Sequence, residues 1–168
     1  MKACLRFAII AALMVTNVAA ADLSAEQIRA ALKAASPTAP ADFAGKDLSD
    51  LDLSGLDFRK TNLRGASLFA SKLVEANFRE ATLEGANLNG AWLMGTDFTG
   101  ANLSGARLIS VVILGGAVKK MPVFKGTNLS GAKMIADLPG ADLSGADFSG
   151  AMVGVNIKNQ GMGQMRTD

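Results

Sequence analysis

The sequence predicts an all-β solenoid, a chain wound into stacked coils, on the strength of two observations. From Phe43 to Leu108 a Leu or Phe stands at every fifth position without a miss, and we call it the central residue of its repeat. Ala mostly lies two residues before it, Asp or Asn one residue before, and Gly two residues after. Aligned columns of this kind define an internal repeat, which is the sequence signature of a repeat fold.

The period of five decides how the chain must run. On an α-helix five residues advance about 140°, so the central residues would wind around the axis. On a flat strand an odd period places successive central residues on opposite faces. They can share one interior only if the chain turns a corner in every repeat. Gly suits such a corner because it adopts positive φ without strain.

The columns match the consensus A-(D/N)-L-x-G, and residues 41–155 resemble the pentapeptide-repeat family. The resemblance implies a right-handed quadrilateral β-helix with four repeats in each coil of twenty residues. Phe58, Phe78 and Phe98 lie twenty residues apart and are expected to stack on one side. Small Ala and large central residues alternate across the interior, so we expect no lumen for a substrate.

Residues 1–21 are predicted to be a signal peptide. Lys2 and Arg6 precede an apolar run from Phe7 to Val15, and small residues follow up to Ala21. The run is too short for a spanning helix, which needs about 20 apolar residues. The pattern is typical of secretory signals cleaved after a small residue, here Ala21 or Ala20. The sequence therefore predicts a bacterial protein exported to the periplasm or secreted, without a transmembrane segment after cleavage.

Residues 22–40 are predicted to form a capping helix and a linker. The helix is expected over Asp22–Ala35, with Ser24 as N-cap and Gln27 completing a capping box. Pro37 and Pro40 mark the helix end and the linker. Stacked repeats expose an apolar end that needs a cover, so the helix is interpreted as an end cap. The alternative is a helix that binds a partner.

The repeat pattern becomes irregular over residues 109–136. We expect one residue to be gained near residues 124–126 and one to be lost near Ala136. Residues 115–126 then form either a bulged coil or a protruding loop. Residues 156–168 are interpreted as a tail containing Gly and Met. The central residues expected in the irregular part are Ile113, Val118, Val123, Leu129 and Met134.

The composition of the chain argues against several classes of function. The chain has 168 residues, no His, one Cys and a net charge of +2. Two of its 17 Lys and Arg precede residue 22, which leaves 15 cations against 15 acids. A nucleic-acid partner is not expected, because such binding needs basic excess. Export also removes Cys4, so the mature chain has few ways to build a nucleophile–base pair. We therefore predict no enzyme, no cofactor and no metal.

Outward apolar residues are expected to concentrate on two adjacent faces of the solenoid. A clustered exposed apolar patch usually marks an interaction site. We expect it to bind a protein partner or a second copy of the chain, unless the chain's own loop or tail covers it. The sequence thus favours a non-enzymatic structural or protein-interaction module of the bacterial cell envelope. The residues are Phe69, Val74, Trp92, Met94, Ile109, Val112, Leu114 and Ile135.

Three further surface hypotheses are weaker. A basic stripe is either solvated surface or a contact for an anionic ligand, and Glu80 among its residues weakens it. The family resemblance implies a DNA-mimic topoisomerase inhibitor as an alternative, which zero net charge and export disfavour. Met162 and Met165 offer thioethers that suit copper(I), without His or Cys beside them. The stripe consists of Arg59, Lys60, Arg79, Lys119 and Lys120.

Overall fold

The computed structural model describes residues 21–36, 38–113, 120–136 and 138–154. The predicted signal peptide up to residue 20 and the predicted tail therefore lie outside the described residues. The elements are α1 (Ala25–Ala34) and three short parallel strands, β1 (Arg107–Ile109), β2 (Lys133–Ile135) and β3 (Met152–Val153). In the described part, no helix has the length and apolar character needed to cross a membrane.

Parallel bridges join the residues that precede the central positions and stack the chain into coils. Up to Val112 the bridged residues lie twenty apart, as in Asp42 to Asn62, so four repeats make one coil. Each coil has four faces, which we name by their stacked central residues. Face A holds Phe43, Leu63, Leu83, Leu103, Leu129 and Phe148. Face B holds Leu48, Leu68, Leu88, Leu108, Met134 and Val153. Face C holds Leu53, Leu73, Leu93 and Ile113. Face D holds Phe58, Phe78, Phe98, Phe124 and Leu143.

Every backbone N–H of a regular repeat has a partner, as residues 86–90 illustrate. Asn87 N–H donates to the coil before, and Leu88 and Gly90 N–H donate to the coil after, at 2.8–3.0 Å. Ala86 N–H closes the corner on Leu83 O at 3.0 Å. The remaining N–H, of Asn89, donates to the side-chain oxygen of Asn87 at 3.2 Å. Backbone groups that would be costly to leave unpaired are satisfied within the repeat or by its neighbours.

The Asp and Asn column therefore has a structural task. Its side-chain oxygen accepts the N–H of the residue after the central one, a bond that coil stacking cannot supply. Where the residue after the centre is Ser, its side chain and its N–H both lower the pKa of the carboxyl: those of Ser54 lower the pKa of Asp52, and those of Ser144 lower the pKa of Asp142. This accounts for outward polar residues at a fixed place in the repeat without any catalytic role.

Corners require positive φ at the second residue after the central one. Among the residues that the structure describes, thirteen such positions are Gly, for example Gly85 at 68°. Other residue types occupy the same conformation, among them Lys60 at 60° and Glu80 at 59°. The left-handed region costs roughly 1–2 kcal/mol for a residue with a Cβ atom. The packed core therefore imposes the corner even where the sequence departs from Gly.

The core is a column of central residues with Ala between them. The central residues from Phe43 to Leu108 are at most 3% exposed. The predicted phenylalanine ladder is present on face D, with ring centroids 4.7 Å apart for Phe58 and Phe78 and 5.2 Å for Phe78 and Phe98. Phe124 extends it, with its centroid 5.2 Å from that of Phe98. Offset stacks of this spacing add to the stabilisation from buried area.

Helix α1 begins with the predicted capping box, in which Ser24 and Gln27 exchange side-chain and backbone hydrogen bonds. Its Ile28 is fully buried and belongs to the same core as the first coil. Just before the helix, Asp22 N–H donates to Asp47 O at 2.7 Å, and Asp47 N–H donates to the Asp22 carboxylate at 2.9 Å. Arg29 donates to Asp52 O at 3.2 Å. Asp22 and Arg29 thus make the hydrogen bonds to the backbone of the first coil that a preceding coil would otherwise make.

The irregular part corrects the predicted register. Asp97 bridges Val123, where a spacing of twenty would reach Ala117, so six residues are inserted after Ile113. The prediction of one gained residue, with Val123 as a central residue, is wrong. Val123 takes the place before the centre, and Phe124 is the fully buried central residue. Val118, the other expected centre, lies outside the described residues.

The predicted loss of one residue does occur. Val123 bridges Asp142 and Asn128 bridges Asp147, nineteen residues on in both cases. The shortening falls between Met134 and Leu138, at the place expected near Ala136. The six residues gained before it leave Met134 stacked on Leu108, on face B.

The role of the Asp and Asn column is testable at Asn102, whose Oδ1 accepts Ser104 N–H at 3.1 Å. Asn102→Ala removes this acceptor, and we expect the free energy of unfolding to fall by about 1 kcal/mol in urea titrations. Asn102→Asp is the matched control, because its carboxylate can accept the same bond. An equal loss in both variants would show that the acceptor is not what matters there.

Candidate functional site

The outward apolar residues meet along one corner of the solenoid, between faces B and C. On face B, the position after the centre is occupied by Phe69, Ile109 and Ile135 in coils two, four and five. On face C, the position before the centre is occupied by Trp92 and Val112, which bridge each other. Only the turn separates these two columns in the chain. We call these five residues the apolar corner.

Three members of the apolar corner are clearly open to solvent. Phe69 is 47% exposed, Ile135 46% and Trp92 39%. Ile109 and Val112 are half-buried beside them. The ammonium of Lys72 lies over the Trp92 ring in a cation–π contact, with Nζ 5.9 Å from the ring centroid. The corner thus presents apolar and aromatic side chains at intervals along the long axis.

The sequence did not predict that Ile135 lies on face B. The sequence analysis stacked it on face C, above Met94 and Leu114. In the structure Ile135 pairs in register with Ile109 on face B. The six inserted residues shift the later repeats by one face. Ile135 therefore remains next to the predicted patch, but on its other side.

Met94 does not belong to an exposed surface, which corrects its predicted place. It is only 3% exposed, although it lies outside the central core cluster. The chain returning from the insertion passes beside it, since Gly95 N–H donates to Lys120 O at 2.8 Å. Val74 on the same face is half-buried. Cover by the chain itself, one of the alternatives left open above, therefore applies on this part of face C; Leu114 lies outside the described residues.

The predicted basic stripe is electrically balanced. Arg59 pairs with Asp57 at 2.6 Å, and Lys60 pairs with Glu80 at 3.5 Å. The Arg59 guanidinium lowers the pKa of Asp57 by hydrogen bonding to it, and Asp57 in turn raises the pKa of Arg59. Because each of these cations has a nearby carboxylate, the stripe offers little free charge to an anion.

The other members of the stripe behave in the same way. Arg79 lies 3.6 Å from an oxygen of Asp97. Lys120 pairs with Glu75 at 3.3 Å and follows the turn of face C, so it does not join Arg59 and Arg79 on face D. Lys119 lies outside the described residues.

A groove of about 450 Å³ lies where the end of α1 meets face D. Its walls carry Leu32 and Pro40 on one side and the paired groups Asp57, Arg59 and Glu80 on the other. The opposite charges within it largely cancel. Among the described residues, no group of three or more acidic, Cys or His side chains is placed to hold a metal. The methionines considered for copper(I), Met162 and Met165, lie outside this range.

Arg107 and Lys133 are the surface residues that sequence reasoning missed. They are exposed cations on β1 and β2 and are directly paired in register. A constant spacing of twenty would have placed Thr127 beside Arg107. The pairing of Arg107 with Lys133 could be recognised only once the structure showed that six residues are inserted.

Coils of five-residue repeats joined by parallel bridges define the class, a β-helical repeat protein. The chain belongs to the pentapeptide-repeat family: the sequence profile described as Pentapeptide repeats matches it in 8 copies, at residues 41–68, 64–100, 76–112 and 136–153. The family predicted from the sequence is thereby confirmed. Its members fold as right-handed quadrilateral β-helices, are generally non-enzymatic and mediate protein interactions. The internal stretch that the profile leaves unmatched, residues 113–135, contains the insertion.

Solved structures of similar proteins include two with 29% sequence identity. One is a pentapeptide-repeat protein from the Arabidopsis thaliana thylakoid lumen (TM-score 0.46, covering 79% of each chain). Another comes from Nostoc PCC 7120 (TM-score 0.32, covering 60% of this chain and 72% of that one). The fluoroquinolone resistance protein QnrB1 is 18% identical (TM-score 0.28, covering 71% and 80%). Comparison with curated proteins gives no significant match.

The different environments of Met94 and Trp92 are testable by the same substitution. Met94→Lys places an ammonium where the side chain is covered, and we expect the free energy of unfolding to fall by at least about 2 kcal/mol. Trp92→Lys changes a partly exposed residue and is expected to cost less than half as much. Urea unfolding followed by circular dichroism measures both. Equal losses would mean that Met94 is as open as Trp92.

Proposed function

We propose that this chain is a non-enzymatic protein-interaction module of the bacterial cell envelope, and that the apolar corner is its contact surface. The observation that carries the proposal is the alignment of Phe69, Trp92 and Ile135 along one corner, each more than a third exposed. Aromatic side chains are enriched at protein interfaces relative to the rest of the surface. Large apolar side chains in contact with water also contribute most to binding when a partner covers them.

The proposed architecture is a right-handed four-sided β-helix with α1 as the cap of its first coil. The burial of Ile28 and the hydrogen bonds of Asp22 and Arg29 to the first coil support the cap. A closed end leaves the long sides of the solenoid for recognition. The rigid ladder holds their side chains in fixed positions, so a partner meets a surface that needs little ordering.

Photo-crosslinking with the full-length chain in its own cells tests the apolar corner. A photoreactive phenylalanine analogue placed at Phe69 or at Ile135 is expected to give a discrete covalent adduct. Matched controls are Arg64 and Lys125, which are exposed and follow the central residue on faces A and D. An adduct of twice the chain mass would identify a second copy as the partner. Adducts at all four positions, or at none, would count against the proposal.

The envelope location is tested separately by fractionating the same cells. We expect the chain in the envelope or the medium, with an N-terminus at Asp22 or Ala21 found by peptide mass analysis. This is the expected product of cleavage after a small residue at the end of a signal peptide. A cytosolic chain that retains Lys2 and Arg6 would contradict the location while leaving the contact surface untouched.

A further inference from the structure

The sheet formed by β1, β2 and β3 carries two like charges side by side on face B. Arg107 and Lys133 are register partners on neighbouring parallel strands, and both are exposed. Neighbouring strands lie about 4.8 Å apart, so these positions are adjacent. Like charges directly opposite each other destabilise a sheet. The fold therefore carries a local cost at this point.

No described carboxylate offsets that cost. The ion pairs formed within residues 21–154, wherever the structure describes them, involve other cations. Along the same column, Asn87 precedes Arg107 and Met152 follows Lys133. Elsewhere neighbouring coils place opposite charges together, as in Arg64 with Glu84 at 2.7 Å. Face B departs from this pattern.

Apolar side chains lie beside the two cations. Two residues after them, on the same strands, are Ile109 and Ile135, which also belong to the apolar corner. In β3, Met152 lies next to Lys133 in the same column and is 60% exposed. The sheet thus offers uncompensated positive charge and open apolar surface on one side of the molecule. We call Arg107, Lys133, Ile135 and Met152 the basic sheet face.

We propose that the basic sheet face binds an acidic, partly apolar segment of a partner protein. The inference rests on the proposed function and gives the partner of the apolar corner its chemistry. A carboxylate placed over Arg107 and Lys133 relieves their repulsion, and Arg can bind it through two parallel hydrogen bonds. Arg and Met are both favoured in protein interfaces. The apolar part of the segment would cover Ile135 and Met152.

Charge argues against the other occupants. A second copy related by a two-fold axis through this face would bring the same cations together. Residues 155–168 of the chain itself contain Lys158 and Arg166 with a single acid, Asp168, so they do not complement it. Binding to an anionic membrane is stabilised by only about 1 kcal/mol for each nearby Lys or Arg. Two cations would therefore bind a membrane weakly. An acidic protein segment fits both the charge and the apolar neighbours.

The test uses a fluorescent synthetic peptide of Glu and Leu and the full-length chain, with binding followed by anisotropy. Lys133→Glu is expected to weaken binding at least tenfold. The same change places an opposite charge beside Arg107, so the urea midpoint should stay equal or rise. Lys125→Glu, with the same change of charge on face D, is the matched control and should bind normally. A peptide with Lys in place of Glu should not bind.

Several results would overturn the inference. Equal weakening by Lys133→Glu and Lys125→Glu would indicate unspecific charge attraction. Failure of the wild-type chain to bind the peptide would exclude an acidic segment. Stronger binding to phosphatidylglycerol vesicles, lost in Lys133→Glu, would assign the face to a membrane. Cross-links at Phe69 that persist in any of these cases would leave the apolar corner in place, so the two proposals can fail separately.

Discussion

The hydrogen-bond ladder between residues one coil apart is the constraint on which the rest of the structure depends. Each repeat gives one N–H to the coil before it and two to the coil after it, as residues 86–90 illustrate. Such a ladder keeps the central residues of successive coils stacked, because each bridge joins a residue to its counterpart one coil away. It leaves two N–H groups per repeat without a ladder partner. One closes the corner within the coil, and the side-chain oxygen of the Asp and Asn column accepts the other.

The ladder gives each position of the repeat a fixed direction, either into the core or toward solvent. Central residues and the preceding Ala fill the interior, while the residues flanking the centre point outward and tolerate other side chains, the one before the centre at the cost of its hydrogen bond. That freedom allows Arg64 and Glu84 to pair across coils on one face, and Phe69 and Ile135 to stand open on another. Recognition in such a molecule depends on which side chains share a corner. No cavity is needed for it.

The insertion after Ile113 shows how the ladder accommodates a departure. The hydrogen bond from Gly95 N–H, which a regular coil would accept six residues earlier, goes to Lys120 O at 2.8 Å. Pro122 then takes a place whose N–H closes the corner in regular repeats, as Ala86 N–H does. The stacking of Phe98 on Phe124 continues beyond it.

The sequence by itself determined the family, the repeat length, the phenylalanine stack and the capping box of α1, because each follows from residues close together or at a constant spacing. It also located most of the apolar corner, whose residues lie in regular coils. Only the tertiary structure decided the length of the insertion, the face of Ile135, the burial of Met94 and the neighbours of the basic residues. These depend on which repeats stack on each other, and one irregular turn changes that for every later residue. Thus the pairing of Arg107 with Lys133, unlike that of Phe58 with Phe78, could not be predicted from spacing.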